Sequence, residues 1–318
     1  MKNILYITNM FPTEGNPFFG IFIKEQIEAI KKDFLFKEEV YLINGLHKSK
    51  FEYIKSIFIL PYLIKRNKPD IIHIHYGISG LFLLFFKPKI PIYLTLHGCD
   101  FQDHGSNRWQ VWISKLIAKR VNQIFVQNQE MKDLGGLINS NIEILTCGVD
   151  TSFFDPLRSR PIDFKSKVII FPSNPQREEK NFPLFMNVIE KLQLDNIITV
   201  KWIDKMSREE IRDLLSSADC LLMTSISEGS PQVVKEALSC GLPVVSVPVG
   251  NVAEMIEGVP NCFVSSSFNI DELYLLVSKS LIGKKYGIRN VFIGKRIYDN
   301  KEIAARLGEF YQIPKKVQ

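Results

Sequence analysis

The chain has 318 residues, enough for two α/β domains of about 150 residues each. Hydrophobic residues make up 46% and charged residues 23%, without low-complexity tracts or internal repeats, which excludes a disordered or fibrous chain. A net charge of +6 suits an anionic ligand or an acidic membrane surface and falls short of the dense basic patches of a nucleic-acid binder.

Taken in chain order, short apolar runs at residues 4–8, 40–43, 71–75, 90–96, 123–126 and 142–145 read as strands. The first is too short to be the apolar stretch of a signal peptide. Helical patterns at 22–32 and 108–118 lie between them. Residues 51–68 mix Phe58, Ile59, Leu60 and Tyr62 with Lys55, Lys65, Arg66 and Lys68. That is either a basic amphipathic helix able to lie on anionic lipid or a helix packed on its own sheet. The longest apolar runs, 57–64 and 80–86, fall short of the ~20 residues of a membrane-spanning helix.

A second series follows: strands at 168–171, 198–203, 220–224, 243–247 and near Phe263, with helices at 182–192, 208–216, 231–240 and 271–281. Buried strands alternating with helices predict parallel, doubly wound sheets. Asp150 to Pro156 reads as a hinge linker, giving domains at 1–155 and 156–296. The five cysteines lack C-x-x-C spacing and read as reduced thiols, with neither a disulfide framework nor a zinc site.

The stretch Ser227-Glu228-Gly229-Ser230-Pro231-Gln232 joins an apolar strand to a helix. Ser230 reads as the N-cap and Pro231 as the first helical residue, with Gly241 and Pro243 ending the helix. A helix N-terminus suits phosphate, whereas Glu228 suits hydroxyl groups, and together they suggest a nucleotide-sugar. The same pattern is also ordinary capping chemistry. Glu236, eight positions on, adds a second carboxylate inside the helix.

This block, continuing through Ser239-Cys240-Gly241-Leu242-Pro243 and Val249-Gly250-Asn251 to Glu254, closely resembles the donor segment of family 4 retaining glycosyltransferases. That family has the GT-B fold: two facing Rossmann-like, doubly wound parallel-sheet domains with an interdomain cleft. The last helix of that fold often crosses back onto the first domain, and residues 297–318 are the candidates here.

The resemblance implies that Glu228 holds donor-sugar hydroxyls, that Glu236 binds ribose hydroxyls, and that Gly229, Ser230, Pro231 and Gln232 meet the sugar and phosphates. Lys180-Asn181 matches the family's basic pair, with Arg177 the only candidate for its second cation; Ser173-Asn174 replaces the usual Gly-Arg. Arg and Lys can neutralise a departing diphosphate without metal. Gly20 fits the first-loop glycine near the donor better than Gly15. Leu96-His97-Gly98-Cys99-Asp100 resembles the family's His-Gly-Ser-Asp segment, placing His97 by the transferred sugar and Asp100 on the acceptor side. His75 resembles the strand-end histidine of the cleft. His73 and His75 share one strand face, and no third ligand for a metal is evident. Gly148-Val149-Asp150 resembles the family's Asn-Gly-Val-Asp, with Cys147 in place of Asn, and Asn251 stands where a second glycine is usual. There an αL asparagine would keep the turn.

The expected activity is a retaining, metal-independent transfer from a nucleotide-sugar to a hydroxyl of a glycan or lipid-linked saccharide, in cell-surface polysaccharide synthesis. His97, Arg177, Lys180 and Glu228 are its catalytic candidates, with no cofactor and no bound metal. The expected location is cytoplasmic, with an anionic membrane surface as a candidate partner. Two alternatives stand: a non-catalytic glycosyltransferase-like subunit, and a GT-B-like nucleotide-sugar epimerase or hydrolase. No G-x-G-x-x-G follows the first strand, which disfavours an oxidoreductase.

Overall fold

The structure, a computed structural model, describes residues 1–45, 48–102, 108–195 and 197–316. The chain forms two compact units, Met1–Cys147 with Lys301–Gln318, and Gly148–Asn300.

In the first unit the elements run β1 (Asn3–Thr8), α1 (Ile21–Asp33), β2 (Lys37–Leu42), α2 (Phe51–Asn67) and β3 (Ile71–His75). A 3-10 helix over Gly77–Leu84 follows, then β4 (Ile92–Thr95), α3 (Arg108–Ala118), β5 (Gln123–Val126), α4 (Gln129–Gly136) and β6 (Ile142–Ile144). The sheet order is β2-β1-β3-β4-β5-β6, and every pairing is parallel. Alternation along β1 sends Leu5 and Ile7 into one core with Leu60, Phe82 and Ile117, and Ile4 and Tyr6 into another with Ile23, Ile27 and Ile30. Both faces are therefore buried, as parallel sheets require.

The second unit contains β7 (Lys167–Phe171), α5 (Phe182–Leu192), β8 (Ile198–Trp202), α6 (Arg208–Ser217), β9 (Cys220–Met223) and α7 (Gln232–Ser239). After these come β10 (Val244–Ser246), α8 (Val252–Ile256), β11 (Phe263–Val264), α9 (Ile270–Ile282) and α10 (Ile288–Gly294). Its sheet order is β11-β10-β9-β7-β8, again all parallel. In each sheet the strand order reverses beside the first strand, between β1 and β3 and between β7 and β9. Ligands of open α/β sheets bind at such switch points, beyond the C-terminal strand ends.

The division falls after Cys147, eight residues before the boundary read from sequence. The segment read as a linker is packed into the second unit: Phe154 is buried, and the Arg289 guanidinium donates to the carbonyls of Thr151 and Phe154 and to Asp155. The last helix, α11 (Asn300–Tyr311), seats Ile303, Leu307 and Tyr311 in the core beside α1 of the first unit. Residues 317 and 318 of the predicted C-terminal span lie outside the described residues.

Candidate active site

The loops leaving β7 and β9 flank the second switch point, and they are stitched together. Thr224 Oγ1 donates to the carbonyls of Lys180 and Asn181, each at 3.1 Å, and Ile226 N–H donates to Glu179 O at 2.9 Å. Asn181, in the left-handed conformation at φ 54°, ends a one-turn 3-10 helix and caps α5 by accepting from Leu184 N–H. This geometry holds the Lys180 side chain against Glu228, and the two form an ion pair with each side chain 14% exposed. Arg177 lies further out. Its guanidinium bonds Glu179, at 2.8 Å through Nε, and its side chain is 55% exposed.

The helix after Glu228 begins one residue later than its sequence suggests. Pro231, at ψ 121°, is still extended and serves as N-cap, so helical geometry starts at Gln232. Ser230 is therefore not the cap, and its Oγ is buried without a hydrogen-bond partner. Gln232 donates to Gly148 O at 2.6 Å, leaving its Oε1 buried and unbonded. The C-terminal end is as expected. Gly241 takes φ 74°, and the bonds Gly241 N–H to Leu238 O and Leu242 N–H to Ala237 O complete a Schellman motif.

Glu236 is buried in α7 and accepts from Arg208 at 2.8 Å. Sequence reasoning missed Arg208. The Ser207–Glu210 capping box makes it the first residue of α6, a signal legible locally, but nothing local reveals its partner 28 residues on. The Arg208 guanidinium also stacks on the Phe154 ring, 4.6 Å from its centroid. The turn before α8 presses on this loop as well. The left-handed residue there is Gly250, φ 52°, and not Asn251, whose φ is −101°; a Cβ on Gly250 would stand 2.6 Å from Gly229 O.

In the first unit the corresponding loops gather a histidine group. Gly20 is left-handed at φ 70° and starts α1, and a Cβ there would lie 2.4 Å from the Met10 carbonyl carbon. Gly15, by contrast, has open space around it. His75, at the end of β3, faces His97 with Nδ1 to Nε2 at 3.4 Å, and Cys147 Sγ lies 3.8 Å from His97 Nδ1. His75 is buried with its Nε2 unbonded, and its ring stacks on His73 at 4.4 Å. Burial, reinforced by the neighbouring His73 and His97, holds His75 well below the usual histidine range. Burial likewise drives His73 down to about 3.

Asp100 is fully buried and accepts from three backbone N–H groups, those of His97 (2.9 Å), Gly98 (3.0 Å) and Gly77 (3.0 Å). Burial lifts its carboxyl to about 6 against the pull of those bonds. The carboxylate thus shapes the loop that presents His97. Among the described residues no group of three or more His, Cys, Asp or Glu side chains is placed to hold a metal ion.

Comparison with known proteins bears on both units. Residues 30–153 match the family described as Glycosyltransferase Family 4, and residues 184–290 match Glycosyl transferases group 1. TuaC of Bacillus subtilis, a glycosyltransferase named for teichuronic acid biosynthesis, is 25% identical over 217 residues, which is 59% of this chain and 55% of TuaC. The match therefore spans little more than half of that relative. Among solved structures, sucrose-phosphate synthase from Thermosynechococcus elongatus superposes with a TM-score of 0.76 at 12% identity, covering 98% of both chains. HepE of Anabaena, solved in complex with UDP-glucose, gives a TM-score of 0.71 at 14% identity, covering 98% of this chain and 100% of HepE. The chain has the GT-B fold and belongs to the family 4, group 1 glycosyltransferases.

Proposed function

We propose that this chain is a retaining glycosyltransferase that moves a sugar from a nucleotide-sugar to a hydroxyl of a glycan or lipid-linked saccharide during cell-surface polysaccharide synthesis. The observation that carries this reading is the Lys180–Glu228 ion pair at the β7/β9 switch point. A nucleotide-sugar offers each member of that pair a new partner. Its diphosphate takes the Lys180 ammonium, and its sugar hydroxyls donate to Glu228. Glu236, oriented by Arg208, accepts from ribose hydroxyls. The buried Ser230 hydroxyl and the N–H groups of Gly229, Ser230 and Gln232 meet the sugar and phosphates. The UDP-glucose complex of HepE supports the donor class, and the likeness to TuaC supports the polysaccharide role.

In the transfer step the acceptor oxygen bonds the anomeric carbon on the face from which the diphosphate departs, so configuration is retained. The acceptor proton passes to the departing phosphate oxygen. Lys180 stabilises the charge growing on that diphosphate, and Arg177 joins it after releasing Glu179, so the chain's own cations do the work without a metal. His97, held by the Asp100 loop and by His75, orients the transferred sugar. Catalysis then rests on positioning and charge stabilisation.

The test is thermal-shift binding of nucleoside diphosphates and their sugars, with EDTA present, to the wild type and to Glu236→Ala. A shift with one nucleotide that is lost in the variant is expected, because native-state ligands stabilise by mass action. No shift with any nucleotide, in folded protein, would move the reading to the non-catalytic subunit.

A further inference from the structure

Among the described residues of the first unit, six of the seven strongly exposed aromatic side chains fall on the 3-10 helix Gly77–Leu84 with the residue that ends it and on the two helices, α2 and α3, that pack against it. Helix α2 buries Ser56, Leu60 and Ile64 and turns Phe51, Ile54, Phe58 and Tyr62 outward, a stripe at helical spacing with Phe58 74% exposed. The 3-10 helix Gly77–Leu84 lies against α2 and ends at Phe85, 71% exposed. The next ring, Phe86, sits under the Lys65 ammonium of α2 at 5.5 Å. Helix α3 packs on that 3-10 helix so closely that a Cβ on Gly77 would meet Ser114 Oγ at 2.1 Å and one on Gly80 would meet Ile117 at 2.7 Å. Its outer side presents Trp109 and Trp112, the latter 62% exposed.

Charge follows the same segments. Residues 50–68, 77–89 and 108–120 hold eleven Lys and Arg against one acidic residue, Glu52, which is itself paired with Lys55 at 2.8 Å. The whole chain carries only +6, so the remainder is net negative. Exposed aromatics ringed by lysine and arginine match the chemistry of an anionic lipid interface, where rings enter the headgroup layer and cations meet phosphate.

We propose that α2, the end of the Gly77–Leu84 helix and α3 form a docking surface for an anionic phospholipid membrane. The inference is independent of the donor-site reading. The segment also has a link to the chemistry of its own unit. Asp100 accepts from Gly77 N–H at one end of the 3-10 helix, and Phe85 closes the other end. One short element therefore joins the lipid-facing patch to the loop that carries His97. Among the described residues no helix is long and apolar enough to cross a membrane, so the surface acts by lying on the bilayer.

The test is co-sedimentation of the full chain with vesicles of phosphatidylcholine alone or mixed with phosphatidylglycerol, at low and high salt. Two double variants accompany it, Phe58→Ser with Trp112→Ser and Lys65→Glu with Arg66→Glu, each shown by thermal unfolding to be folded. Binding to mixed vesicles that falls with salt, and that drops about tenfold in either variant, is expected. No binding of the folded wild type at low salt overturns the proposal, and so does binding that neither variant weakens. A concentration-dependent dimer abolished by Phe58→Ser with Trp112→Ser, without vesicle binding, assigns the patch to a second copy of the chain and overturns it too.

Discussion

Arg208 and Glu236 meet at 2.8 Å although they lie 28 positions apart in the chain, and the Glu236 side chain is only 5% exposed. A carboxylate so buried depends on its cation. Arg208→Ala strands it, at a cost of about 3 kcal/mol, whereas Arg208→Met with Glu236→Gln removes both charges and recovers most of that loss. Urea unfolding of the three proteins checks this. A double variant as unstable as Arg208→Ala would show that the guanidinium acts through its stacking on Phe154 and not through charge.

Lys180 and Glu228 compete with a donor for each other. Lys180→Met is expected to weaken nucleoside diphosphate binding about tenfold, the loss of one charge-assisted bond. Glu228→Gln releases Lys180, so affinity for the diphosphate alone rises while the extra affinity conferred by the sugar disappears. Calorimetric titration with the diphosphate and the nucleotide-sugar separates the two effects. Equal losses in both variants would contradict the division of labour.

Three glycines give a graded test. Gly20→Ala and Gly250→Ala each place a Cβ within 2.6 Å of backbone at a left-handed position, whereas Gly15→Ala enters open space. The first two should lose about 2 kcal/mol or more, and Gly15→Ala should stay within about 0.5 kcal/mol of the wild type. Thermal unfolding measures all three.

Stability should fall as pH drops below 6.5. His73 and His75 titrate well below that value when folded and at about 6.5 when unfolded, so the unfolded chain binds more protons and gains as the solution acidifies. Asp100 has the opposite sign. Its folded value of about 6 lies above the unfolded 3.8, so protonation in that interval favours the folded chain. Two histidines against one aspartate leave a net loss. His75→Phe should flatten the slope of stability against pH by about one proton over this range, read from urea midpoints.

Much of the framework was legible locally. The strand Ile71–His75 and the helices Arg108–Ala118 and Phe182–Leu192 match their apolar patterns residue for residue. Gly20 and Gly241 announced their backbone conformations because little else tolerates positive φ there. What stayed hidden depends on distant partners. Arg208 finds Glu236, Asp100 gathers amides from two loops, and the Cys147 thiol reaches His97. The 3-10 helix at Gly77–Leu84 was hidden for another reason: its apolar run has no amphipathic period, because it is sandwiched between α2 and α3. The one-residue shift at Pro231 shows that a proline fixes φ and leaves ψ to its surroundings.

Val149 N–H donates to Tyr298 O, and Asn300 N–H donates to Val149 O, so the second unit begins and ends at one bonded point. It is an excursion from a first unit whose chain is interrupted. On the ribosome, residues 148–300 are all made before Tyr311, the buried ring that bonds His73 beneath the first sheet. The second unit can therefore close its core while the first still awaits its final helix. A nascent chain stalled near residue 300 would carry a finished second unit beside an unfinished first one, and a stop codon there would spare the half that holds Lys180 and Glu228.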